Sequence, residues 1–260
     1  MRSAVPPSTS EEPLRPIALV DLDDTLFQTL RKCPPGMPHE VLTPLGFARD
    51  GSALSYATPR QVAFLSWLST TALLVPVTAR SRNALDRVRI EWRYAVCAHG
   101  GVVIHQDGRH DPIWAERMAT EAAAYRTALD GLTRRAEREA GPVPLSIRVV
   151  EEDGTPLYLL LKHQEADADA LAAAVARIAP DVPAGWTVHV NGNNAAFMPP
   201  FLGKQHAVEW LLPTLRRESP DAPTIGIGDS ITDAPFMRLC DFAMTPPGSQ
   251  LAGQILARAA

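Results

Sequence analysis

Three short apolar runs in this chain each stop abruptly at polar, mostly acidic residues. Ile17-Ala18-Leu19-Val20 meets Asp21-Leu22-Asp23-Asp24-Thr25, Leu73-Leu74-Val75-Pro76-Val77 meets Thr78-Ala79-Arg80, and Thr224-Ile225-Gly226-Ile227 meets Gly228-Asp229-Ser230-Ile231-Thr232-Asp233. A four- or five-residue run without alternation reads as a strand buried on both faces, which in practice means a parallel sheet covered by helices. Pro76 weakens the second run, since it removes a ladder donor. Helical stretches lie where such a sheet needs them. Thr58-Pro59 reads as an N-cap with proline at the first helical position, and Val62, Leu65 and Leu68 recur at helical spacing, predicting a helix over about 59–70. Residues 82–92 and Lys204 to Leu215 also have helical character, and Tyr94–Ala98 and Val102–Ile104 read as strands about a Gly100-Gly101 turn. The fold class is α/β.

Two segments interrupt that pattern. Residues 31–55 are rich in Pro and Gly with poor periodicity, which predicts a long loop or flap beside the first acidic cluster. Residues 114–190 follow a different order: a long helix at 114–140 with Gly131 as a break point and Gly141-Pro142 at its end, then strand-like runs Leu145–Val150 and Leu157–Lys162 about an Asp153-Gly154 turn. A helix near 166–179, a strand Trp186–Val190 and an Asn191-Gly192-Asn193-Asn194 turn complete the segment. This succession predicts an α+β module inserted over 111–191, between halves of an α/β unit at 16–110 and 192–260. Residues 1–15 read as a disordered tail.

Composition excludes several classes. The 25 Lys and Arg are outnumbered by 29 Asp and Glu and scattered, whereas a nucleic-acid binder needs a concentrated basic face. Cys33, Cys97 and Cys240 lie far apart, form no C-x-x-C pair and leave an odd thiol, which argues against a disulfide framework or a zinc site and for a reducing cytoplasm. With neither a signal-peptide core nor eighteen uninterrupted apolar residues, neither secretion nor membrane spanning is expected. His39, His99 and His206 have no metal-like spacing.

In an open parallel sheet, ligands gather beyond the carboxyl ends of the strands, so Asp21, Thr78 and Asp229 can converge although distant in sequence. Asp21 and Asp23, two residues apart, point the same way in extended backbone. Their mutual repulsion calls for a cation. Magnesium takes oxygen ligands from one or two carboxylates and keeps several waters, which suits Asp21 and Asp229. Lys204 can add a second positive charge.

Taken in order, Asp-Leu-Asp-Asp-Thr, Val-Thr-Ala-Arg, Gly-Lys and Gly-Asp-Ser-Ile-Thr-Asp resemble the four motifs of the haloacid dehalogenase superfamily, over residues 17–105 and 194–245. The resemblance implies a Rossmann-like core with the 111–191 insertion as a C2-type cap of the IIB branch, which includes many sugar-phosphate phosphatases. It implies that Asp21 is a nucleophile that becomes aspartyl phosphate, and that Asp23 protonates the leaving alcohol and then activates water. Thr78 would bind phosphoryl oxygens and Lys204 would balance charge. Asp21, Asp229 and the backbone carbonyl of Asp23 would hold Mg2+, supported by Asp233. His99-Gly100 resembles a turn of trehalose-phosphate phosphatases, and Thr78-Ala79-Arg80 the sucrose-phosphate phosphatases. Two departures stand out: Asp24 where many relatives have glycine, and Ser-Ile-Thr between the last two aspartates. Neither removes a catalytic group. Arg80, Arg148, Lys162, His163, Asn191, Asn193 and Asn194 are candidates to read the part of the substrate that is not phosphate. The expected partner is a small phosphorylated molecule, with the protein a monomer or homodimer. Two other readings remain open: a phosphosugar mutase of the same fold, and a phosphate-ligand sensor without catalysis.

Overall fold

A computed structural model describes residues 14–141 and 143–256, so most of the N-terminal tail and Pro142 lie outside the described residues. The first half runs β1 (Ile17–Val20), β2 (Gln28–Thr29), β3 (Thr43–Phe47), β4 (Ala53–Ala57), α1 (Pro59–Thr71), β5 (Leu73–Pro76), α2 (Arg82–Leu85), β6 (Ala95–Cys97) and β7 (Val102–Ile104). The inserted segment is α3 (Pro112–Ala140), β8 (Leu145–Glu152), β9 (Thr155–His163), α4 (Ala168–Ile178), β10 (Thr187–Asn191) and β11 (Asn194–Met198). The chain then returns through α5 (Lys204–Glu218), β12 (Thr224–Ile227), α6 (Ala234–Met237), β13 (Phe242–Met244) and α7 (Gln250–Leu256).

A parallel sheet of order β13-β12-β1-β5 sits at the centre, with β1 in register against both β12 and β5. Its four residues are buried and divide by parity. Ile17 and Leu19 join one apolar cluster while Ala18 and Val20 join another, which is why the run does not alternate. Pro76 is tolerated because β5 is the terminal strand of this sheet, and the Val77 N–H continues the ladder to Val20 O at 2.8 Å. Helix α1 starts where expected: Thr58 and Gln61 form a reciprocal capping box ahead of Pro59.

The inserted segment forms an antiparallel sheet of order β10-β11-β9-β8, with Leu159, Leu161, Ala195 and Phe197 packed against α3 and α4. Asp153 and Gly154 take φ of 49° and 77°, the left-handed pair a two-residue hairpin turn requires. The sheet runs past 191, the expected edge of the insertion, because β11 pairs with both β9 and β10 and buries side chains on both faces. Gly131 does not break α3, where it faces open space.

Two expectations are corrected. Residues 31–55 are not a long loop: β2, β4 and β3 form a three-stranded antiparallel sheet, its hairpin turning at Gly51 with φ of 83°. Register shifts around Pro44, Gly46 and Phe47 break the alternation that would have revealed the strands. Residues 82–92 hold only one helical turn. Beyond it the backbone turns to β3 instead, with Arg89 N–H donating to Leu45 O at 2.8 Å and Val88 bridging Gly46. Among the described residues no helix is long and apolar enough to cross a membrane.

Candidate active site

The carboxyl ends of β1 and β12 bring Asp21 and Asp229 together, and the start of α5 adds Lys204. Asp21 is 5% exposed, and its Oδ1 accepts from Lys204 Nζ at 2.6 Å. The same ammonium donates to Asp233 Oδ1 at 2.6 Å. Asp233 is held from its other side, Oδ2 accepting from Ser230 Oγ at 2.7 Å, Ser230 N at 3.0 Å and Asp229 N at 3.2 Å. A carboxylate oxygen from each of Asp21, Asp229 and Asp233 lies within 4.8 Å of the others. Thr25 ties the loops together, its hydroxyl 3.4 Å from Asp21 Oδ2 and 3.3 Å from Asp229 Oδ1. Thr78 is fully buried at the end of the β5 segment, and its Oγ1 accepts from Arg80 N at 3.1 Å.

Two glycines set the approach of these segments. A Cβ at Gly100 would lie 2.3 Å from Gly203 O, and Gly100 has φ of +100°, so only glycine lets this turn abut the residue before Lys204. A Cβ at Gly228 would lie 2.6 Å from Asp233 Cβ.

Burial pushes the Asp21 carboxyl well above the usual carboxylate range, against the pull of Lys204. Burial also lifts Asp229, to about 6, with repulsion from Asp233 and Asp24 adding to it. Asp233 goes the other way: burial opposes its charge, but the Lys204 ammonium and the Ser230 hydrogen bonds hold it below the ordinary value. Burial works against Lys204 too, and the two aspartates overcome it, raising its pKa. His99, buried behind the site, is pushed down to about 3, first by burial and then by Lys204, and is neutral.

Five carboxylates, Asp21, Asp23, Asp24, Asp229 and Asp233, face three cations, Lys204, Arg80 and Lys32. Burial and mutual repulsion disfavour the ionised forms of Asp21 and Asp229, a cost that a bound cation would offset. The donor set is all oxygen, the chemistry that hard cations such as magnesium select.

Asp23 and Arg80 form a fork, Nε donating to Oδ2 and Nη2 to Oδ1, both at 2.7 Å, and Nη2 also donates to Ser55 Oγ on β4 at 3.1 Å. Asn191 reaches the site, donating to Asp24 Oδ2 at 3.1 Å. Asn193 and Asn194 do not: Asn193 Nδ2 donates to His163 O at 3.0 Å, and Asn194 Nδ2 donates to Asn193 Oδ1 at 3.2 Å. His163 is buried, its Nδ1 accepting from Asp167 N at 3.2 Å. Arg148 and Lys162 are exposed; the register sets Lys162 opposite Ser146 and Asn194, and so on the sheet face of Arg148, Leu160 and Ala196. That face packs toward the parallel sheet, because Val150, Tyr158 and Ala196 belong to the same apolar cluster as Ile17 and Leu19.

Sequence reading missed Thr25, Lys32 and His189. Thr25 was readable as a hydroxyl four residues after Asp21 in the same loop. His189 sits two residues before Asn191 on β10, hence on its face, with Nδ1 3.4 Å from Thr232 Oγ1. His189, Asn191, Asp24, Lys32, Gln28 and Asp229 line a cavity of about 440 Å³.

A parallel α/β sheet with acidic residues at its strand ends and an α+β unit inserted over them is the fold of haloacid dehalogenase-like hydrolases. No family model matches the chain, and no curated protein matches it in sequence. The fold is similar to that of the C-terminal domain of C. albicans trehalose-6-phosphate phosphatase, with a TM-score of 0.57 at 14% identity over 86% of this chain and 73% of that one. It is equally similar to a HAD/COF-like hydrolase from Plasmodium vivax, with a TM-score of 0.57 at 11% identity over 94% of this chain and 89% of that one. The fold is also similar to that of Plasmodium falciparum IMP-nucleotidase, with a TM-score of 0.51 at 14% identity over 94% of this chain and 66% of that one.

Proposed function

We propose that this chain is a magnesium-dependent phosphomonoester hydrolase that acts on a small phosphorylated metabolite, a sugar phosphate, through an aspartyl phosphate on Asp21. One observation carries the reading: Asp21 is a buried carboxylate held 2.6 Å from Lys204 and within 4.8 Å of Asp229 and Asp233, the arrangement a carboxylate nucleophile beside an anionic group requires. The similarity to trehalose-6-phosphate phosphatase supports a sugar phosphate as substrate.

Asp21 and Asp229 would hold the metal with the Asp23 carbonyl, and Asp233 would fix Lys204 and the Asp229 loop. Magnesium, when bound, neutralises phosphoryl oxygens and the excess charge of the carboxylates. Asp21 attacks phosphorus as the bond to the alcohol oxygen breaks, and Asp23 gives that oxygen its proton. In the second step Asp23 takes a proton from water as the water oxygen attacks phosphorus, releasing inorganic phosphate and restoring Asp21. Arg80 contacts both oxygens of Asp23, and one prong of that contact has to release for Asp23 to carry the proton it gives. Thr78, fully buried, would have to be uncovered for its hydroxyl to reach a phosphoryl oxygen, and Lys204 favours the ionised form of Asp21 against the burial that pushes its pKa up.

The test is phosphate release from a panel of sugar phosphates and an aryl phosphate, with magnesium or with chelator, for the wild type and Asp21→Asn. Release confined to the wild type with magnesium is expected. Turnover by Asp21→Asn would refute the assignment, and turnover requiring a sugar bisphosphate activator would identify a mutase instead.

A further inference from the structure

Asp24 departs from the glycine of the related motif and keeps a glycine-like backbone, with φ of 63°. A side chain in that conformation carries strain that the surrounding contacts must offset. Its carboxylate accepts from Lys32 Nζ, at the end of the short 3-10 helix Leu30–Lys32 beside the three-stranded sheet. It also accepts from Asn191 Nδ2 at 3.1 Å, on the inserted sheet, 167 residues away in sequence. Lys32 Nζ closes the triangle by donating to Asn191 Oδ1 at 2.8 Å. A second bridge runs alongside, Arg31 Nη1 donating to Ala166 O at 3.4 Å.

Three separate segments therefore meet at one carboxylate: the β1 loop bearing Asp21 and Asp23, the small sheet, and the inserted module. All three members of the triangle line the 440 Å³ cavity beside Asp229.

We propose that Asp24, Lys32 and Asn191 form a clasp that fastens the small sheet and the inserted module over Asp23, with Asp24 as a positioning residue for the reaction. The positioning role rests on the reading of Asp23 as the acid and base of phosphoryl transfer; the clasp itself rests on the contacts alone. Closed, it holds the inserted module against the loop that bears Asp21 and Asp23, at the rim of the cavity. Open, it admits substrate and releases product. Its bonds are partly solvent-exposed, so it can open repeatedly, and salt weakens it.

The experiment pairs hydrogen exchange with kinetics on the full chain. Asp24→Gly accepts φ of 63° without strain and therefore folds, and Asn191→Ala lies at the end of a strand. In hydrogen exchange without substrate, Asn191→Ala is expected to speed exchange at 28–33, and Asp24→Gly at 187–194, each severalfold. Unchanged exchange in both distant segments overturns the clasp whether or not the protein is a phosphatase. In kinetics with a hydrolysed sugar phosphate, each single variant is expected to lose about tenfold in kcat/KM, and the double variant no more than either alone. A double variant whose loss is the product of the two, about a hundredfold, overturns the positioning role.

Discussion

Replacing Asp229 by asparagine separates the cost of the acidic site from its use. A carboxyl held at about 6 against an ordinary 3.8 disfavours its charged form by about 3 kcal/mol at neutral pH. Asp229 is only partly buried, so solvent screening brings this to about 1–2 kcal/mol. The unfolded chain ionises Asp229 more readily than the folded one, so the penalty is fully present above pH 6 and is relieved as the pH falls from about 6 toward 4. Asparagine keeps the shape and an acceptor for Thr25 and abolishes the charge. In chelator at pH 7.5, Asp229→Asn is therefore expected to be more stable than the wild type by about 1–2 kcal/mol, or about 2–8 °C in Tm. At pH 4.5 the difference should shrink to about a third of that. Magnesium should reverse the order, since a ligand at a hundred times its Kd stabilises by about 2.7 kcal/mol and the variant lacks a metal-binding carboxylate. Thermal unfolding followed by tryptophan fluorescence, with chelator and with magnesium, measures all three. A variant less stable than wild type in chelator at pH 7.5 would refute the electrostatic reasoning, and a full magnesium shift in the variant would refute the metal site.

Other consequences are sharper but less separable. Lys204→Met leaves Asp21 and Asp233 buried without their shared cation, which should cost about 3–5 kcal/mol at pH 7 by urea unfolding and abolish turnover. The deficit should narrow in acid, because the stabilisation from a depressed Asp233 is present above the unfolded pKa and lost as the pH falls through the folded one. Gly100→Ala places a methyl group 2.3 Å from Gly203 O in left-handed backbone. Strain and clash should each cost about 1–3 kcal/mol, and displacement of Lys204 should lower kcat more than it raises KM.

Much of the acidic cluster at the strand ends was legible in the sequence. The unbroken apolar run of β1 and its abrupt acidic end specify a strand buried on both faces with its polar end at a ligand site, and Asp153-Gly154 specifies a hairpin. The small sheet was not legible, because a proline, a glycine and two register shifts erase the period-two signal in β3. Nor was the fate of residues 87–89, where Arg87 O accepts from Phe47 N and Arg89 N–H donates to Leu45 O on β3 in place of a further helical turn. Arg80 could be matched to a motif, but its contact with Asp23 and Ser55 depends on where β4 lies.

By itself the sequence determined which polar residues end the core strands, because strand ends and short motifs are written in neighbouring positions. Only the tertiary structure decided how those groups share charge. That Lys204 serves two aspartates, that Asp229 is left in excess, and that Asp24 joins Lys32 to Asn191 all depend on separations of a few ångströms between residues far apart in the chain. Electrostatic energy varies with distance and burial, and neither is encoded locally.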